Sequence, residues 1–349
     1  MQYRLFGRSG LRVSELCLGA MTFGNVYAWG ASKDESRKIF EAFAAEGGNF
    51  IDTANRYQDG QSEEYVGEFV KADRAYFVVA TKYSLSTRSD DPNAHGNHRK
   101  NMVPAAEASL RRLKTDYIDL YWLHAWDGMT PVEEVMRALD DLVRSGKVLY
   151  VGISDTPAWR VSQMNMLAEL RGWTAFTGLQ VEYSLIQRTV EREYVPMAVA
   201  LDLALTAWAP LGGGVLTGKY SRTGDRVEAR DSKRAEIMQK RTSAHNLAIA
   251  DVVSDIAFER SVTPTQVALA WLCRRQGNII PIVGARKEGQ IRDSLGCLDV
   301  ELTATELSRL DDVSRVDLGF PHEFLSSDQI RTIVYGDFHD RIAPHRPVG

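Results

Sequence analysis

Short apolar, β-branched runs alternate along this chain with stretches whose apolar residues recur at helical spacing. The runs at 15–18, 50–52, 77–81, 118–123, 148–153, 178–181, 203–208 and 279–283 read as strands. Stretches at 34–46, 62–69, 103–113, 132–145, 159–171, 190–200, 246–260 and 264–275 read as helices. Thr130-Pro131-Val132-Glu133 and Thr263-Pro264-Thr265-Gln266 each offer a capping threonine and a proline suited to a first turn. Each also places an acid or amide at the third helical position. Gly146 stands just past the fourth helix, where a helix-ending glycine belongs.

Strands that alternate with helices pair in parallel and are buried on both faces. Eight of them predict one α/β domain over residues 1–349, a single (β/α)8 TIM barrel, although an open doubly wound sheet shares the alternation. Two segments fall outside the pattern. Residues 219–245 are charged and contain glycine, which predicts an excursion loop after the seventh strand. The tail beyond Asp317 carries Phe320, Phe324, Tyr335 and Phe338, too many aromatics for a solvated end. It is expected to pack back onto the body, over the site.

Composition narrows the partners. Hydrophobic residues at 44% and charged residues at 25% describe an ordinary globular chain with a substantial core. A net charge of −4 gives no reason to expect nucleic acid or an anionic membrane. The long apolar stretch 195–216 is interrupted by Pro196, Asp202, Pro210 and Gly212-Gly213-Gly214, so it does not predict a spanning helix. Residues 1–8 lack the apolar core of a signal peptide. Cys17, Cys273 and Cys297 are far apart, with no metal spacing, as suits a reducing compartment; a cytoplasmic location is expected. His95 and His98 lie in a polar loop without further ligands, so no metal site is expected. Nothing marks an oligomer interface.

Asp52, Tyr57, Lys82 and His124 stand where successive strand runs end. In a parallel barrel the functional groups gather at those C-terminal ends. A phenol has an ordinary pKa of about 10. A nearby ammonium lowers it, and a carboxylate holds the ammonium in place. The implied roles are Tyr57 as general acid, Lys82 tuning it, Asp52 fixing Lys82, and His124 orienting a carbonyl oxygen. Gly213-Gly214-Val215-Leu216-Thr217-Gly218-Lys219 has phosphate-loop spacing, but Tyr220 stands where Mg²⁺ needs a hydroxyl from Ser or Thr, which argues against an ATPase. No GxGxxG follows the first strand, so a Rossmann site is unsupported. A metal-dependent hydrolase would need several ligating side chains at the strand ends, and only one His is there.

These residues, in this order, resemble the aldo-keto reductase superfamily over nearly the whole chain, most closely its longer bacterial members and the potassium-channel β-subunit-like branch. The segment from Leu16 to Gly24, with Gly19 and Met21, is similar to the family's first strand and loop. Asp52, Tyr57, Lys82 and His124 match its catalytic tetrad. The resemblance implies that Ser154, Asp155 and Gln180 grip a nicotinamide carboxamide and that Trp208 stacks on the ring. Pro210, Leu211, Gly212, Gly214 and Lys219 would follow the pyrophosphate, with Gly284, Arg286, Gln290, Asp293 and Ser294 at the adenosine-phosphate end.

Asp155 and Ser294 depart from the family, which usually has Asn at both positions. A carboxylate cannot donate to a carboxamide oxygen as an amide can. The family uses NADPH more often than NADH, and Arg286 supplies the fork a 2′-phosphate would want. Arg226, in the excursion loop, is a second candidate to fold over the cofactor. The implied activity is reversible NADPH-dependent reduction of an aldehyde or ketone, with NADH as the substitute cofactor. Tyr27, Trp29 and Trp126 are expected to join Tyr57 in an aryl-accepting pocket. The alternative is a nicotinamide-binding regulatory or scaffold protein like the channel-associated branch, with slow turnover.

Overall fold

The computed structural model describes residues 1–219 and 241–343. Two short strands, β1 (Tyr3–Leu5) and β2 (Arg12–Ser14), form an antiparallel hairpin. Eight parallel strands then close into a barrel: β3 (Cys17–Gly19), β4 (Phe50–Asp52), β5 (Val78–Tyr83), β6 (Ile118–Leu123), β7 (Val148–Ser154), β8 (Gly178–Glu182), β9 (Ala204–Trp208) and β10 (Ile279–Gly284). Strand β10 pairs with both β9 and β3, so the sheet is closed and the open alternative is excluded.

Side chains of a strand alternate between its two faces. On the inner face Cys17, Phe50, Val78, Ala80, Leu120, Trp122, Ala204, Ile280 and Ile282 form one buried cluster. The intervening residues, among them Leu18, Ile51, Val79, Tyr121 and Ile153, pack outward against the helices. The hairpin was not foreseen, and it closes the N-terminal end. Phe6 and Val13, both fully buried, join the inner cluster there. Glycine is needed beside them on packing grounds: a Cβ on Gly178 would lie 2.5 Å from the Phe6 ring, and one on Gly152 would lie 2.3 Å from the Trp122 ring.

The predicted caps divide. Thr263 and Gln266 form the full reciprocal capping box at the helix Pro264–Cys273, and Gly146 adopts a left-handed φ of 76° after the helix Val132–Arg144. Thr130 does not cap. Its hydroxyl donates to Asp127 at 2.6 Å instead, and Pro131 begins the helix without a side-chain cap. Two helices beyond the last strand, Glu288–Leu295 and Ala304–Val313, complete the ring.

The tail corrects its expectation. Phe320, Phe324, Tyr335 and Phe338 are all exposed, Phe320 to 84%, so they do not pack back onto the body. The tail is held at its root, where Arg192 donates to the Asp317 carbonyl and His322 meets Glu193 at 3.0 Å. Most of the expected excursion loop, with Arg226, lies outside the described residues. Among the described residues no helix is long and apolar enough to cross a membrane.

Candidate active site

The inner-face alternation that buries Phe50, Val78, Ala80, Leu120 and Trp122 continues upward to Asp52, Lys82 and His124. Lys82 is fully buried and its ammonium spends its three donors on three oxygens. It pairs with the Asp52 carboxylate, donates to the Thr53 carbonyl at 2.8 Å and donates to the Tyr57 hydroxyl at 3.2 Å. Gln180 braces the other Asp52 oxygen through its amide at 3.1 Å. The Tyr57 and His124 rings meet edge to face with centroids 5.7 Å apart. All four predicted catalytic residues are therefore brought together.

Tyr57 reaches this position through a strained turn. It is followed by Gln58 and Asp59, both left-handed at φ 51° and 54°. The Gln58 amide ties the turn to the loop after β3: it accepts from the Tyr27 backbone at 2.8 Å and donates to the Met21 carbonyl at 3.3 Å. Among the described residues, five of the eight non-glycine residues with positive φ lie just after barrel strands: Gln58, Asp59, Ser84, Asp155 and Ala209. Strain of this kind concentrates where function over-determines geometry.

Burial dominates the electrostatics. It pushes the Tyr57 phenol up, and the Lys82 charge beside it only partly offsets this. The expected net lowering of the phenol is thus reversed, and Tyr57 stays protonated at neutral pH. Burial also opposes the Lys82 ammonium, but the Asp52 and Tyr57 charges outweigh it and the pKa rises. Burial lifts the Asp52 carboxyl against the pull of Lys82. The His124 imidazole is driven well below its ordinary value by burial and then by the Lys82 charge, so it is neutral. Its Nδ1 is buried without a partner among the described residues.

The expected cofactor residues follow one arc of the rim. Ser154 is paired in register with Gln180, and Trp208 with Glu182, at the ends of β7, β8 and β9. The Trp208 indole donates to Asp155 at 3.1 Å, and partial desolvation by the surrounding groups raises the Asp155 carboxyl. Pro210, Leu211 and Gly212 to Gly214 form the turn after β9, with Gly214 at φ 106° and open space where a Cβ would stand. Lys219 is exposed at the edge of the described chain. Gly284 ends β10 beside Gly19, and exposed Arg286 follows. Gln290 accepts from the Arg286 backbone at 2.8 Å, and Asp293 accepts from Thr263 at 2.7 Å, so both have protein partners. Ser294 is buried.

Tyr27 and Trp29 pack together, centroids 5.3 Å apart, and the Tyr27 hydroxyl donates to the Arg56 carbonyl beside Tyr57. Trp126 faces from the loop after β6, where its backbone donates to the Asp155 carbonyl at 3.4 Å. Residue-type reasoning missed the Thr53 carbonyl, which carries no side-chain signal. It also missed Asn55, whose buried Oδ1 has no partner among the described residues and whose backbone donates to the Lys82 carbonyl at 3.2 Å. Among the described residues no cluster of three or more His, Cys, Asp or Glu could hold a metal. His98 instead caps the helix Arg99–Leu113 through Nδ1.

The aldo/keto reductase family pattern matches residues 15–315. The norsolorinic acid reductase of Aspergillus flavus is 36% identical over 92% of this chain and 83% of its own length. An aryl-alcohol dehydrogenase of Pestalotiopsis microspora is 35% identical over 93% and 85%. A putative aryl-alcohol dehydrogenase of Saccharomyces cerevisiae is 33% identical over 92% and 88%. The chain belongs to the aldo/keto reductase family and is an oxidoreductase.

Proposed function

We propose that this protein reduces aryl aldehydes or ketones with NADPH, with Tyr57 as the proton donor. The observation that carries the reading is the buried Lys82 ammonium, saturated by Asp52, the Thr53 carbonyl and the Tyr57 hydroxyl. The aryl class draws on the relatives named for aryl alcohols and on Tyr27, Trp29 and Trp126 around the mouth. The glycine turn after β9 leaves room for a backbone-hugging diphosphate. The Arg286 guanidinium has no protein partner among the described residues, which favours a 2′-phosphate and hence NADPH.

Bound nicotinamide would supply the hydride. The protein's share is the proton and the placement of the carbonyl. Tyr57 gives its hydroxyl proton to the carbonyl oxygen, and the Lys82 ammonium stabilises the phenolate left behind. Asp52, braced by Gln180, keeps Lys82 charged and in place. His124 carries its proton on Nε2, because a buried Nδ1–H without an acceptor would be costly. That Nε2–H donates to the carbonyl oxygen and orients it.

Loss of reduced-nicotinamide absorbance with 4-nitrobenzaldehyde tests this. NADPH should outperform NADH, and Tyr57→Phe should cut turnover by about 10²–10⁴-fold while NADPH affinity stays nearly constant. Loss of turnover and binding together would make Tyr57 structural and overturn its role. Tight NADPH binding without turnover of any carbonyl would support the regulatory reading instead.

A further inference from the structure

Arg160 is a cation on the rim beyond β7 without a counterion among the described residues. It lies in the first turn of the helix Ala158–Arg171, which begins just beyond Ser154 and Asp155 at the end of β7. Its guanidinium carbon stands 4.1 Å from the centre of the Trp159 ring and 5.4 Å from that of Trp126. Nη1 donates to Gln163 at 2.6 Å. Nε is buried without an acceptor, and Nη2 has no protein partner among the described residues. On the adjoining helix Val132–Arg144, Arg137 and Arg144 each hold an aspartate.

Local structure does not explain this charge. The first turn of that helix contains no acid, and a cation there opposes the helix dipole. Packing explains the plane of the guanidinium but not why its remaining donors face no oxygen. The location is informative: Trp126 stands two residues beyond His124, and its backbone is tied to Asp155 at 3.4 Å. The guanidinium is thus set against Trp126, in the loop that follows His124.

We propose that Arg160 is a specificity residue that selects aryl carbonyl substrates carrying an anionic oxygen, a carboxylate or an ionised phenol, remote from the reacting carbonyl. This rests on the carbonyl-reductase reading above. The substrate ring lies along Trp126 while its anionic oxygen accepts from the guanidinium, whose planar fork suits two such oxygens.

The test compares 4-carboxybenzaldehyde with its neutral methyl ester at saturating NADPH, in the wild type, Arg160→Met and Arg160→Lys. The wild type should favour the acid by about tenfold in kcat/KM, expressed in KM, and added salt should erode the preference. In Arg160→Met the acid-to-ester ratio should fall to one or below. Arg160→Lys, which keeps the charge without the fork, should retain part of it and serves if the methionine variant does not fold. A wild-type ratio of one or less, or a ratio unmoved by either substitution, overturns the inference while ester turnover leaves the reductase reading intact. Turnover of neither aldehyde by the wild type defeats that reading, and this inference with it.

Discussion

The two ends of the barrel are built from the same strands and made for opposite purposes. At the N-terminal end Phe6 meets Phe50 and Trp122 edge to face, with centroids 5.5 and 6.2 Å away, in a cluster of buried apolar side chains. Two residues further along, about 7 Å of strand rise, Phe50 gives way to Asp52 and Trp122 to His124. There the side chains are charged or hold unpartnered atoms, and the turns beyond them are strained. A buried ion pair is a poor source of stability, because desolvation offsets most of its attraction. The stability that offsets the desolvation of Lys82 and Asp52 therefore comes from apolar burial such as that at the hairpin end.

Phe6→Ala is the strongest way to break that division. It removes a fully buried aromatic ring from the inner cluster and should cost about 3–5 kcal/mol, read from denaturant unfolding. The folded fraction should keep its kcat/KM, because the tetrad lies at the opposite end of the barrel. A proportional fall in activity per folded molecule would show that the two ends are mechanically coupled.

What could be read from the sequence follows the same division. The barrel strands were legible because burial on both faces makes them continuous apolar runs. The hairpin was not, because strands of three residues are too short to display alternation; the turn Gly7-Arg8-Ser9-Gly10 between Tyr3–Leu5 and Arg12–Ser14 was its only signal. The helix Ala304–Val313 did announce itself, through the capping box of Thr303 and Glu306, and went unread. Within the site, strand ends pointed to Asp52, Lys82 and His124. The Thr53 carbonyl was invisible, since any residue could supply it. Arg160 meets Trp126 only because β6 and β7 are neighbours in the barrel. The tail shows the reverse error: aromatic content states a preference for burial and does not provide a partner.

The pH dependence sharpens the electrostatic side of the comparison. With the Tyr57 phenol raised above its ordinary value of 10.0, the acid form persists through neutral and mildly alkaline pH. Reduction should stay level from about pH 6 to 9, whereas alcohol oxidation, which needs phenolate, should rise about tenfold per pH unit there. His124, held well below 6.5, should add no acid limb near that pH. A limb near 6.5 would mean that the imidazole titrates. An alkaline fall in reduction near pH 8 would mean that the Lys82 charge prevails over burial at Tyr57.

The smallest effect expected concerns Asp155, which the proposed function sets against the carboxamide of NADPH. Asp155 is left-handed at φ 41°, a conformation Asn adopts as readily as Asp, so Asp155→Asn adds no backbone strain. The Asn carbonyl would still accept from the Trp208 indole, which now donates to Oδ1 at 3.1 Å. The new amide would donate where the carboxylate has no proton to give. One added hydrogen bond to the carboxamide should tighten NADPH by about three- to tenfold, measured by quenching of tryptophan fluorescence. The Asp155 carboxyl is raised, chiefly by desolvation, so acid restores a donor to the wild type first. The advantage of the variant should therefore shrink as the pH is lowered. If Asp155→Asn binds no more tightly at neutral pH, Asp155 serves to brace Trp208, and the carboxamide is held from Ser154 and Gln180 alone.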